Sequence, residues 1–344
     1  MDNLLRFTEV DWQKALDELL PEIHPVDRSP VRIWFRLYPL ELQQYISTSD
    51  DLNVTVSNLG IQGEYSLENQ IDSSHRFLYG HRYWPQVKYA IQNECASADG
   101  SLLTLPDLVR VIAANAAKEV NADISLLIAI TAVGMMTVSQ IGIAKFSAAV
   151  VVAEEPRGLT AKSPEKIIAE RARDDSQGVL GFLRTVDKKF SVIYDENNPG
   201  GRFQIVNDQQ IAMASANDRS QNWQARDSRC WEGPIPVECL SASCGTCWIG
   251  VIAGQEKLSE VARRERRAMK VFGYNQPDEP KPLLRLACQA KAYGNVTIVI
   301  PPWNGVFGKQ VYDNVEALDL KPATTSARVL RDTVRDSVSG SSND

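Results

Sequence analysis

Three cysteines fall within nine residues, Cys239-Leu-Ser-Ala-Ser-Cys244-Gly-Thr-Cys247, and a fourth, Cys288, stands alone further along the 344-residue chain. No other feature limits the fold so tightly. Three thiols on one short loop converge only if the loop is compact and turns its backbone N–H groups inward. Ser241, Ala242, Ser243, Gly245 and Thr246 are small enough to allow that. A structural zinc site also uses four cysteines, but normally as two C-x2-4-C knuckles. Here the division is three and one. Chance thiols in a core would explain neither the spacing nor the flanking pattern.

That pattern is one of short strands and turns. Phe190 to Tyr194 alternates as a strand, Asn198 to Gly201 is a turn, and Arg202 to Val206 alternates again, so a hairpin is expected. Gln210 to Ser215 suits a helix after it. Beyond the cysteine loop, Trp248 to Ile252 reads as a strand leading to a turn at Gly254. Leu258 to Met269 reads as a helix capped by Ser259. Asn295 to Ile300 reads as a closing strand stopped by Pro301 and Pro302. Two irons bridged by two sulfides need four terminal thiolates. C-x4-C-x2-C with a remote fourth cysteine is the plant-type [2Fe–2S] spacing, in which backbone N–H donors offset the cluster's negative charge.

On these residues the segment from about 187 to 306 resembles the plant-type [2Fe–2S] ferredoxins. CLSASCGTC, followed by a strand and a glycine turn, is similar to their cluster loop. RLACQAKAYGNVTIVIP is similar to their fourth-ligand strand and the strand after it. The resemblance implies a β-grasp fold, Cys239, Cys244, Cys247 and Cys288 as ligands of a [2Fe–2S] cluster, and one-electron transfer to and from redox partner proteins. Two features depart from the family. The gap from Cys247 to Cys288 is long, and Ala242 stands where the photosynthetic carriers usually have Gly. The charge also differs: residues 187–308 hold fifteen Lys/Arg and thirteen Asp/Glu, so the acidic partner surface of those carriers does not transfer. Cys95 and Cys230 fall outside the spacing and read as spectators.

Residues 1–120 carry ten Lys/Arg and seventeen Asp/Glu and resemble no family. An amphipathic helix is expected first, with Leu4, Leu5, Trp12, Leu16, Leu19 and Leu20 on one side. Alternation about Gly60 in Leu52 to Asn69 allows a hairpin, or a loop between helices. Pro106 and Asp107 open another helix. His75 and His81 flank an aromatic patch that reads as packing, and His24 has no visible partner. From Ile124 to Ala153 the chain is almost continuously apolar, long enough for a bilayer crossing, though Gln140 and Lys145 interrupt it. A buried helix or helix pair is the preferred reading, with membrane association the alternative. Ser163-Pro164-Glu165 opens a helix expected to link the two halves.

The expected class is α+β: a mainly helical domain over 1–153, a helical linker over 154–186, a ferredoxin-like β-grasp domain over 187–308 and a flexible polar tail over 309–344. No phosphate-binding glycine loop, dinucleotide fingerprint or nucleophile motif occurs, so an electron carrier is expected rather than an enzyme. The alternative is an accessory subunit of a larger oxidoreductase, with the N-terminal half as assembly interface. A net charge of -6 argues against nucleic acid as a partner. The absence of an apparent export signal leads to an expectation of cytoplasmic location, with or without membrane association.

Overall fold

The computed structural model describes Leu4 and residues 6–96, 103–149, 155–173, 188–274 and 279–312. The chain is α+β and divides into two compact units. The first comprises Met1–Thr55, Ser66–Arg173 and Asp195–Gly201; the second comprises Val56–Tyr65, Asp174–Tyr194 and Arg202–Asp344.

The first unit is helical. Helix α1 (Glu9–Leu19) starts at a capping box, Thr8 accepting from Asp11 N and the Asp11 carboxylate from Thr8 N, and buries Trp12, Leu16 and Leu19. Helix α2 (Pro25–Leu37) is capped by His24, whose Nδ1 accepts from Val26 N at 3.3 Å. His24 therefore has the partner that its sequence context hides. Helices α3 (Leu40–Ser47), α4 (Leu52–Asn58), α5 (Trp84–Ala96) and α6 (Leu105–Val120) follow, α6 with Thr104 as cap and Pro106 in its first turn. The alternating stretch at Leu52 thus forms a helix and not one arm of a hairpin.

Helix α7 (Ser125–Ile141) carries the apolar segment, and every residue from Leu126 to Ser139 is buried. It packs against α1, α2, α3, α5 and α6, then stops at Gly142, and α8 (Ile143–Ala148) follows, with Phe146 buried against Trp84. Three polar side chains of α7 donate inside the unit: Thr137 to Val133 O at 2.9 Å, Ser139 to Met135 O at 3.3 Å, and Gln140 Nε2 to Tyr38 O at 2.7 Å. A Cβ on Gly134 would lie 2.6 Å from Ile91 and 3.0 Å from Trp84, so the close approach of α5 and α7 needs glycine there. No helix among the described residues is long and apolar enough to cross a membrane. Helix α9 (Pro164–Arg171) is capped by Ser163, and the rest of the expected linker from residue 174 on lies outside the described residues.

Buried polar groups tie these helices together. Both Asp27 carboxylate oxygens accept backbone bonds, from Tyr79 N at 2.6 Å and Gly80 N at 2.8 Å, while burial raises the Asp27 pKa to about 6. Arg171 grips the Glu196 carboxylate with two bonds of 2.9 and 2.6 Å. His75 is fully buried against the Trp84 ring, with Nε2 3.1 Å from Ile71 O and Nδ1 3.0 Å from His81 Nδ1. A carbonyl only accepts, so His75 carries its proton on Nε2 and its Nδ1 accepts from His81.

The second unit is built on a mixed sheet. Strand β1 (Gln62–Gly63) comes from the N-terminal half and pairs with β9 (Trp303–Asn304). Strands β2 (Lys189–Ile193) and β3 (Arg202–Val206) form the expected hairpin. The main sheet also contains β5 (Trp248–Ala253), β6 (Leu284–Leu286) and β8 (Val296–Val299), in the order β3-β2-β8-β5-β6. Strands β2 and β8 run parallel; the other pairs are antiparallel. A small ladder joins β4 (Gln209–Gln210) to β7 (Lys291–Ala292). Helices α10 (Ile211–Ser215), α11 (Trp223–Arg226), α12 (Arg263–Phe272) and α13 (Gly308–Val311) complete the described residues of the unit. The tail residues 313–344 lie outside the described residues.

Helix α12 begins four residues beyond Ser259, its expected cap. Ser259 is spent elsewhere: its N–H donates to Lys291 O at 2.9 Å and its Oγ accepts from Lys291 N at 3.1 Å. Those bonds hold the chain extended beside β7 and postpone the helix.

The His75 arrangement sets a pH dependence. Burial and the neighbouring His81 hold the His75 pKa well below its ordinary 6.5. Below about pH 6.5 the unfolded chain binds one proton more than the folded chain at this site. Its contribution is thus complete above that pH and falls as pH drops, by at most about 1.4 kcal/mol per pH unit. Asp27 acts oppositely, since its folded pKa is raised: its contribution is complete below about 3.8 and lost as pH rises through about 6. The informative quantity is therefore wild-type stability minus that of His75→Gln, from urea unfolding at pH 7.5 to 5.5. That difference should shrink as pH falls; a constant difference would refute the neutral-imidazole assignment.

Candidate functional site

Sheet pairing brings the two halves of the cysteine set together. Trp248 opens β5 directly after Cys247 and pairs with Leu286, the last residue of β6. Ala287 N then donates to Cys247 O at 2.9 Å. Cys288 lies just past β6 on a turn closed by Gln289 N and Ala290 N on Leu286 O, at 2.8 and 2.9 Å. It is thus delivered by a turn and not by the strand expected from its sequence.

The loop from Cys239 to Cys247 is tightly wound. Leu240, Ala242 and Gly245 have φ of 52°, 56° and 72°, in the left-handed region. For Leu and Ala that costs about 1–2 kcal/mol each. At Gly245 a Cβ would sit 3.0 Å from the Phe272 ring, so only glycine lets the loop rest on α12. The winding turns N–H groups onto sulfur. Ser241 N and Ser243 N each lie 3.4 Å from Cys239 Sγ, and Ala242 N–H donates to the Cys288 thiol. Gln289 adds a side-chain donor, its Nε2 3.4 Å from Cys288 Sγ and 3.4 Å from Leu240 O.

The four thiols are arranged as two pairs. Cys244 Sγ donates to Cys239 Sγ at 3.0 Å. With the two serine N–H groups this lowers the Cys239 thiol to about 4, while the same contact raises the Cys244 thiol. Cys247 and Cys288 form the second hydrogen-bonded pair, with Cys288 lowered and Cys247 raised. The pairs act on each other electrostatically, Cys244 on Cys247 and Cys239 on Cys288. Cys247 and Cys288 are buried; Cys239 and Cys244 are half-buried. Among the described residues no group of three or more His, Cys, Asp or Glu side chains is gathered closely enough to hold a single metal ion.

Cys230 stands apart. It is buried, its Sγ donates to Pro234 O at 3.3 Å, and burial pushes its thiol up to about 12. Cys95, in the helical unit, is half-buried with its thiol raised by desolvation.

One supporting pair was invisible in the sequence. Glu265 on α12 is fully buried and accepts from Arg285 Nε at 2.8 Å, Arg285 Nη2 at 2.9 Å and Leu286 N at 2.9 Å. Arg285 also donates to Ser259 O at 2.9 Å. A glutamate among four arginines reads as part of a solvated face; only the buried Arg285 opposite explains it.

No protein-family model, curated protein or solved structure matches this chain. The chemistry of the site rests on its own geometry.

Two substitutions probe that geometry. Glu265→Gln leaves Arg285 charged and buried without its counter-ion, and should cost about 3–5 kcal/mol in urea unfolding of the full chain. A loss under about 1 kcal/mol would mean that the pair does not hold α12 to β6. Ala242→Gly removes about 1–2 kcal/mol of left-handed strain but restores about 0.4–1 kcal/mol of chain entropy to the unfolded state. Its melting temperature should equal or slightly exceed that of the wild type; a clear loss would place Ala242 outside the left-handed region.

Proposed function

We propose that this protein transfers single electrons through a [2Fe–2S] cluster held by Cys239 and Cys244 on one iron and Cys247 and Cys288 on the other. The observation that carries the reading is the division of the four thiols into two pairs. Each iron of such a cluster needs two terminal thiolates, whereas one tetrahedral ion needs four donors about a single point. The donor set fits the group in a second way. Ser241, Ala242 and Ser243 N–H and the Gln289 amide lie against sulfur, where donors offset the charge of an iron–sulfur centre. When bound, the cluster would supply a one-electron couple; the chain's own residues would hold it, shield it and set its potential.

The sheet supports the fold part of the same reading. Its first and last long strands, β2 and β8, lie side by side and parallel, with β3 beyond one and the β5–β6 pair beyond the other. That is the strand order of a β-grasp sheet. The cysteine loop enters β5, and the fourth cysteine follows its neighbour β6.

Two sets of measurements test the proposal. Single Cys→Ser changes at 239, 244, 247 and 288 should abolish or grossly alter the visible iron–sulfur absorption of the purified protein, while Cys95→Ser and Cys230→Ser should leave it intact. Loss of colour in Cys230→Ser but not in Cys239→Ser would refute the assignment. The potential follows from ligand charge. All three histidines lie at or before position 81, outside the site, so all four ligands are thiolates. Such centres lie near about -400 mV, against a lower bound of about -150 mV for those with two histidines. A one-electron midpoint below about -150 mV is expected, with a rhombic paramagnetic resonance signal in the reduced form only. A positive midpoint, or bound zinc, would remove the reading.

A further inference from the structure

Helix α12 carries six charged side chains, the last of them Lys270, within a single ten-residue element, Arg263-Arg-Glu-Arg-Arg-Ala-Met-Lys-Val-Phe272, whose only acid is Glu265. Burial of that acid under Arg285 removes its charge from the surface. Arg263, Arg264, Arg267 and Lys270 are exposed, while Ala268, Met269, Val271 and Phe272 are buried against the unit. The outward face is therefore positive and holds no acid; the nearest exposed acid in sequence is Glu260, ahead of the helix.

The same helix is coupled to the cysteine site at both ends. Phe272 lies under Gly245 of the loop, and Glu265 holds the N–H of Leu286, two residues before Cys288. An α-helix with its side chains is about 10–12 Å across. A protein seated on the outer face of α12 would lie about one helix diameter from the end of β6, beyond which the turn carries Cys288.

We propose that the exposed basic face of α12 is the docking surface for an acidic redox protein that exchanges electrons with the thiol-held centre; this rests on the reading of that centre as a [2Fe–2S] cluster. Charge complementarity favours a protein over other polyanions. The chain's net charge of -6 opposes adsorption to an anionic bilayer or nucleic acid, and the exposed face offers no apolar side chain to insert into lipid. A compact partner that presents a local acidic patch meets the arginines without approaching the rest of the chain. In the exchange one electron leaves the reduced cluster, which becomes oxidised, and a ferric haem becomes ferrous; no bond or proton moves.

The test uses the full, cluster-loaded protein, reduced and mixed by stopped flow with an acidic b-type cytochrome or a basic c-type cytochrome as one-electron oxidant. Steering by a charged patch changes association rates about tenfold or more and is screened by salt. The acidic cytochrome should be reduced at least about tenfold faster at low than at high ionic strength. Arg263→Glu/Arg267→Glu should remove that advantage, and Arg264→Gln/Lys270→Gln should reduce it, both with unchanged visible absorption. The basic cytochrome should not slow in either variant. Rates to the acidic cytochrome that ignore these substitutions, with absorption intact, would overturn the docking surface alone. Substitution-sensitive co-sedimentation with phosphatidylserine vesicles, without a rate effect, would also overturn it in favour of a membrane. Failure of the wild type to hold iron and sulfide would instead overturn the cluster reading, and this proposal with it.

Discussion

The second unit depends on a carboxylate that has left water. Glu265 is fully buried, and its oxygens face Arg285 and Leu286 N. A buried ion pair is weak evidence of stability, because desolvation offsets much of the attraction. Its geometric effect is much stronger. Once Glu265 is buried, α12 cannot slide along β6 without leaving a charge unpaired. Arg285 extends the constraint to Ser259 O, and Ser259 pairs with Lys291. One ionic contact thus fixes a helix, a strand end and a short ladder around the turn that carries Cys288.

The cysteine loop shows the opposite balance. Leu240 and Ala242 occupy left-handed backbone that glycine would adopt more readily. Strain of that kind persists only where surroundings over-determine it. Here the surroundings are Phe272 beneath Gly245, the Ala287 bond to Cys247 O and the Gln289 bridge to Leu240 O. The return is a set of N–H groups aimed at sulfur. Rigid support from α12 and β6 is what allows a loop so short to hold that conformation.

These two balances explain which parts of the structure could be read from sequence. The hairpin at β2 and β3, strands β5 and β8, the cap Ser163 and the helix start at Pro106 were legible because each is written in adjacent residues. The C-x4-C-x2-C loop was legible for the same reason, since loop chemistry is local, and Cys288 was legible from the residues immediately around it. Glu265 with Arg285, Ser259 with Lys291 and the pairing of β1 with β9 were not legible. Each joins residues far apart in the chain, and neither partner carries a local mark. His24 belongs with them: a histidine cap has no strong sequence signature, unlike the Thr8 capping box.

The apolar segment after Ile124 shows why hydropathy alone could not decide between a core and a bilayer. Both environments favour the same residues, and α7 would satisfy either through 126–139. The distinction lies in what meets the polar exceptions. Thr137 bonds within its own helix, as it could in lipid, but Gln140 reaches Tyr38 O on another element, and Lys145 pairs with Glu68. Gly134 points the same way, because the space its missing side chain leaves is filled by Ile91 and Trp84 from α5. A helix whose small residue receives a neighbour's side chain and whose polar end is paired by distant residues has its apolar surface committed to the core of its own unit. The same argument applies to Lys88, a nearly unexposed lysine whose Nζ reaches Asp72 at 2.9 Å and Ala149 O at 2.9 Å. A charge is tolerated at that depth because α5 and the segment after α8 are packed closely enough to solvate it with protein atoms instead of water.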